Sequence, residues 1–356
     1  MRFNAAPPHR CEFVREIVAP IFRNHVPLFA LVIVYGAAAT LFRLYFSDTP
    51  TPEASVYFSL FGFMSILFGL TFILGYPFYV MVFQRPDNLV VHLRDGLRYR
   101  YLTFERLLNG VAVLAVTPIF MWSFSSFENL IPAINPFGWD EFLAMADRTL
   151  HGGQDAWVLL DPLLGYPLIT SAINFFYNLW FFVLFGILFW QAFSLKDKAL
   201  RLQFFITFML LWIIMGTVLA AMMSSVGPVY YARVTGLGDI YAPLIGYLYG
   251  VRETLPVWSL STQEMLWSAY ENGESGLVSG ISAMPSMHVA TTVLFALLGW
   301  RHHRLLGWAL TMFAILIMLG SVHLGWHYAL DGYLAIPIVW AIWRLSGRYA
   351  SSREAD

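Results

Sequence analysis

Charge is what this sequence has least of. Only 12% of its 356 residues are Asp, Glu, Lys or Arg, against roughly a quarter in a typical soluble domain. With 58% hydrophobic and 17% aromatic residues, the apolar excess is too large for a soluble core. A single cysteine, Cys11, excludes an internal disulfide and a cysteine-based metal cluster. The first 26 residues have no apolar stretch and carry Arg10, Glu12, Arg15, Glu16 and Arg23, so no cleavable signal peptide is expected and the first span would itself direct insertion. Internal repeats and low-complexity tracts are missing too. The net charge is −1, and no nucleic-acid partner is expected.

What is present is a series of apolar runs of roughly 20 residues, each long enough to cross a hydrocarbon layer of about 30 Å as a helix. They fall near 27–46, 56–84, 107–127, 168–194, 203–226, 284–300, 305–322 and 328–346. The expected fold is an all-α polytopic membrane bundle of about eight transmembrane helices. It divides into residues 1–106 (the N-terminus and two accessory helices), 107–346 (a catalytic six-helix domain) and 347–356 (a tail). With eight crossings, 17 of the 21 basic residues fall on the side of the termini and only Arg43, Arg148, Arg233 and Arg252 on the other. Excess positive charge marks the cytoplasmic side. Both termini are therefore expected in the cytoplasm, with the long 128–167 and 227–283 connections outside.

Elaboration on one face suggests that the chemistry lies there. In 133–167 the mixed spacing of Trp139, Phe142, Leu143, Met145 and Leu150 among Asp140, Glu141, Asp147 and Arg148 fits an interfacial amphipathic helix, anchored by Trp139 and Trp157. A structural spacer and a substrate-shaping lid both fit it. The 227–283 connection opens at Gly227-Pro228 and continues through Tyr230, Tyr231 and Arg233 without a strand pattern or a metal motif.

Histidine titrates near neutrality and serves as base, acid or nucleophile. Of nine, His9, His25, His92, His302 and His303 fall among cytoplasmic arginines, which leaves His151, His288, His323 and His327 outside. His288 follows Pro285 at the outer start of the sixth span, where a helix's free first-turn amides would face an anion. The 39 residues from there to His327 are about enough to descend one helix, turn at Arg301–Arg304 and climb the next. Asp331, four residues on, is expected one helical turn from His327, where its carboxylate would hold the imidazole Nδ1–H and leave Nε2 free. A buried acid there needs such a partner. Alone, His288 reads equally as a packed interfacial histidine and the His327/Asp331 pair as an interfacial ion pair. With His323 the set also offers zinc-type ligands, though without a His-Glu-x-x-His spacing.

Pro285-Ser286-Met287-His288 and His327-x-x-x-Asp331 resemble the second and third signatures of the lipid phosphate phosphatase superfamily, the type 2 phosphatidic acid phosphatases. The form His-Tyr-x-x-Asp is similar to the branch containing inositol phosphorylceramide and sphingomyelin synthases, over roughly residues 107–346. The resemblance implies a nucleophilic His327, an orienting Asp331 and an acid–base His288, with no metal and no cofactor. Ser286, Ser321, His323, Tyr231 and Arg233 are candidates to bind the phosphate, Arg233 reading equally as a loop arginine.

Two departures bear on the substrate. The first signature, Lys-x-x-x-x-x-x-Arg-Pro, is missing, Arg85-Pro86 lying on the opposite side. The Ser-Arg that normally precedes the third-signature histidine is Ser321-Val322 here. A phosphodiester, with about half the charge of a monoester, needs fewer cations. The expected activity is therefore transfer of a phospho-head group, such as inositol phosphate, from a phospholipid donor to a lipid hydroxyl acceptor through a phosphohistidine. The alternatives are hydrolysis of a lipid phosphate or pyrophosphate at the same site and, using the polar Asn174, Tyr177 and Asn178, a non-catalytic lipid transporter. The oligomeric state stays open.

Overall fold

A computed structural model describes residues 18–277 and 279–355, with the side chains of Glu354 and Ala355 excepted. The expectations that fall on Arg2, His9, Arg10, Cys11, Glu12, Arg15 and Glu16 lie outside the described residues. The fold is all-α. Its principal helices are α1 (Ala19–Tyr45), α2 (Ala54–Tyr79), α3 (Phe104–Ile134), α4 (Asp140–Leu150), α5 (Ala156–Leu164), α6 (Pro167–Ala192), α7 (Lys198–Ile213), α8 (Ala242–Arg252), α9 (Trp258–Asn272), α10 (Met287–His302), α11 (Arg304–His323) and α12 (Ala329–Ala355).

Six helices among the described residues are long and apolar enough to cross a membrane: α1, α2 with its continuation to Gln84, α3, α6, α7 with its continuation to Met222, and α11. The chain is a multi-pass membrane protein. The expected sixth and eighth crossings coincide with α10 and α12, which fall outside that group. Helix α10 has 16 residues, about 24 Å at 1.5 Å per residue. Helix α12 carries Arg344, Arg348 and Arg353 in its second half. The tail expected from residue 347 is a continuation of α12, so no boundary falls there.

Local chemistry sets the helix starts. Asp197 accepts the Leu200 N–H at 2.8 Å and Ser286 accepts the Val289 N–H at 3.4 Å, the usual N-cap arrangement. Pro167 opens α6, where a missing N–H costs nothing. Only His303 separates α10 from α11, the tight antiparallel turn expected at 301–304.

The main core joins α1, α3, α6, α7, α10 and α12 through buried side chains that include Phe120, Phe204, Phe208, Leu294 and Val339. Helix α2 keeps Phe63, Ile66, Ile73 and Leu74 exposed, a face suited to lipid rather than water. At the end opposite the histidine cluster, Arg201 is buried without a carboxylate partner among the described residues. Its guanidinium donates to the carbonyls of Gln191, Ala192 and Asn109 and to His25 Nε2, so it closes the C-terminus of α6, whose last carbonyls have no helical partner.

Both long connections are helical. α4 and α5 form the first, with Phe142, Met145 and Leu150 exposed and Asp140, Leu143, Ala144 and Asp147 buried. α8 and α9 lie in the second, and α9 is fixed to α6 by Asn174, whose Oδ1 accepts the Ser259 N–H at 3.0 Å and hydroxyl at 2.9 Å.

Candidate active site

His288 occupies the first turn of α10. Pro285 sits one residue outside the N-cap Ser286, not in the first turn as its position after the connection suggests, and the Met284–Pro285 peptide is cis. The His288 imidazole lies against Tyr177 (centroids 4.7 Å apart) and Trp180 (4.1 Å), and its centroid is 6.0 Å from that of His327. The two signature segments thus meet.

The expectation that His327 and Asp331 share one helical face is corrected. α12 begins at Ala329, and His327 precedes it in a turn whose Trp326 and His327 amides both donate to the Ser321 carbonyl, at 3.0 and 3.1 Å. Asp331, in the first turn, folds its carboxylate back: Oδ2 accepts the Tyr328 N–H at 3.1 Å and faces His327 Nδ1 at 3.3 Å. The shorter contact of Nδ1, 2.8 Å, is to the Ala283 carbonyl. A carbonyl only accepts, so Nδ1 carries the proton and Nε2 the lone pair.

The phosphate-binding candidates scatter. Ser286 spends its hydroxyl on the helix cap, and Ser321 donates its own to the Met318 carbonyl at 2.8 Å. His323 is buried with Nε2 on the Thr170 hydroxyl at 2.9 Å. Tyr231 is buried against Leu143, Tyr241 and Tyr328. The exposed Arg233 lays its guanidinium over the Trp267 ring at 4.9 Å. None of these five lines the cavity next to the histidines.

That cavity, about 510 Å³, has His288 and His327 in its wall and runs between α2, α3, α6, α7 and α9. Tyr177 and Asn178 line it, whereas Asn174 faces α9. Tyr57, Leu60 and Phe61 of α2 also contribute, so an accessory helix builds part of the wall. Among the described residues its lining has no Lys or Arg and one carboxyl, Glu128.

Two residues of consequence escaped the sequence reading. Asp140, 1% exposed, accepts from the Ser225 hydroxyl (2.8 Å), the Val226 and Gly227 amides (3.1 and 2.9 Å) and the Tyr328 hydroxyl (3.0 Å). Asp147, 4% exposed, accepts the Leu330 N–H at 2.9 Å. The 137–165 connection therefore grips the chain just after His327, at Tyr328 and Leu330. Gly227 has φ +87°, and a Cβ there would fall 2.4 Å from the Trp326 carbonyl oxygen; only glycine fits that approach. Burial pushes both aspartate carboxyls above the ordinary carboxylate range, against the pull of their hydrogen bonds. The available signal was positional: Asp140, Leu143, Ala144 and Asp147 share one helical face, so an apolar face carried two carboxylates.

Among the described residues no group of three or more His, Cys, Asp or Glu side chains is arranged as a metal site. A family model described as the PAP2 superfamily matches residues 141–345, more than half of the chain. No curated protein and no solved structure matches it.

Proposed function

Because the chain belongs to the PAP2 superfamily, whose activities are of the lipid phosphatase and phosphotransferase type, we propose that it transfers a phospho-head group from a phospholipid to a lipid hydroxyl. The observation that carries this reading is the cavity: two histidines with room beside them in a wall that is otherwise mostly apolar and without Lys or Arg among the described residues. A phosphomonoester dianion has little to neutralise it there, whereas a phosphodiester monoanion with two chains suits such a wall.

In this mechanism His327 Nε2 attacks phosphorus, the N–P bond forming as the bond to the diacylglycerol oxygen breaks. His288 gives that oxygen its proton. The acceptor hydroxyl then attacks the phosphohistidine, returning its proton to His288 and releasing Nε2. The Ala283 carbonyl and Asp331 hold Nδ1–H throughout, and the carboxylate stabilises positive charge as it grows on the ring. The reading also takes α10 and α12 as the sixth and eighth crossings and, from the arginine distribution, puts both termini in the cytoplasm and the site on the opposite face.

The test incubates purified protein with phospholipid labelled in its head-group phosphate, with and without a lipid alcohol such as ceramide. A new labelled lipid that forms only with the alcohol is expected. Water-soluble phosphate as the sole product in both arms would move the assignment to hydrolysis.

A further inference from the structure

Glu128 lies on α3, in a bundle where ionisable residues are costly and need a reason. It is the single charged side chain in the cavity lining among the described residues. Its Oε2 is buried and has no hydrogen-bond partner there, which an apolar setting penalises. Glu128 forms part of the wall of the cavity of about 510 Å³.

Its place relative to the chemistry follows from the 280–283 segment. Gly280 rests directly on Glu128, so that a Cβ would fall 2.4 Å from Glu128 Cγ. Three residues on, the Ala283 carbonyl holds His327 Nδ1 at 2.8 Å. Three residues of chain reach at most roughly 11 Å. The residue resting on Glu128 and the residue holding the His327 ring are thus at most roughly 11 Å apart, within reach of one bound phospho-head group.

Charge selects that head group. A phosphodiester beside His327 brings one negative charge, the lining offers no Lys or Arg to balance it, and Glu128, buried without a donor, ionises at a cost unless a cation meets it. A polyol head group supplies no cation to the phosphate or to the carboxyl. A head group with its own cation brings the phosphodiester to zero net charge and offers the carboxyl a partner that favours its ionised form. The aromatic rings of Tyr57, Tyr177, Trp180, Tyr230 and Trp326 in the same wall suit a desolvated ammonium through cation–π attraction. We propose that the donor is a zwitterionic phospholipid whose head group carries an ammonium, and that Glu128 is the residue that selects it. This rests on the transfer reading above for its chemistry, but the recognition step stands apart from turnover.

The test is therefore a binding measurement on the full-length His327→Ala protein in nanodiscs, where bound donor is not consumed. Retention of three phospholipids is compared by mass spectrometry of the intact complexes: one with a trimethylammonium-ethyl head group, its uncharged 3,3-dimethylbutyl isostere, and one with a polyol head group. The ammonium lipid is expected to be held about thirtyfold more tightly than the isostere, the weight of one desolvated cation–π or ion-pair contact. In the His327→Ala/Glu128→Gln protein that preference is expected to fall to near one. Equal retention of the charged lipid and its isostere, preference for the polyol lipid, or a preference that Glu128→Gln leaves untouched would each overturn the assignment. Should the double variant not fold, the isostere comparison with Glu128 intact decides alone. If the wild-type protein makes no lipid product while the binding preference holds, the transfer reading fails and the head-group selection stands.

Discussion

The Tyr328 hydroxyl donates to Asp140 Oδ1 at 3.0 Å across 188 residues of sequence. It ties the residue that follows His327 to the first residue of α4, and the same carboxylate holds the Ser225–Gly227 turn. The connection between the third and fourth spans thereby braces the chain beside His327.

Graded losses are expected along that brace. Tyr328→Phe removes one hydrogen bond and should cost about 1 kcal/mol of stability, with a several-fold fall in kcat. Asp140→Asn turns an acceptor surrounded by four donors into a group that presents its own N–H₂ to some of them, and should cost roughly 2–3 kcal/mol and lower kcat further. Thermal melts in detergent and initial rates check the order. A larger effect for Tyr328→Phe would contradict it.

At the reacting groups, His327→Ala and His288→Ala are each expected to abolish turnover while membrane insertion persists. Rapid quench of wild-type protein with labelled donor should trap an acid-labile, alkali-stable phosphoprotein that His327→Ala never forms. Asp331→Asn should retain more activity, with a loss of roughly a hundredfold, because the Ala283 carbonyl still fixes the imidazole tautomer. Near-normal rates in either alanine variant would remove the mechanism.

Stability should depend on pH through Asp147. Its folded-state pKa is raised, chiefly by burial, so its favourable contribution is fully present below the unfolded value of about 3.9 and is lost as pH rises through the folded one. Wild-type protein is expected to gain in Tm as pH falls from 7 towards 4, and Asp147→Asn to gain less. Parallel curves for the two proteins would mean that other groups set the dependence.

Arg201 offers a control distant from the chemistry. Arg201→Met leaves the Ala192 carbonyl without its donor and takes one donor each from the Gln191 and Asn109 carbonyls, and is expected to lower stability by roughly 1–3 kcal/mol. A lysine cannot reproduce the fork, so Arg201→Lys should recover only part of that. In protein that remains folded the KM for donor should stay unchanged, whereas a changed KM would link this end of the bundle to the site.

A fifth expectation concerns metal. The proposed transfer needs none, and turnover after dialysis against EDTA should equal that before it; loss restored by a divalent cation would require a different mechanism.

Apolar runs determined the membrane class and six of the helices, because a segment that must satisfy its own backbone in hydrocarbon announces itself locally. Short signatures pointed to the family and picked out His288, His327 and Asp331, because the groups proposed as nucleophile, acid–base group and orienter are fixed residue types at short spacings. Tertiary structure alone decided which acceptor lies nearest the His327 ring, since Ala283 is 44 residues away and any carbonyl would serve. It alone separated His323 and Arg233 from the cavity, by giving them to Thr170 and Trp267. It alone set the donors around Asp140 and Asp147 and the place of Glu128 in the cavity wall, because a carboxylate's surroundings come from distant parts of the chain.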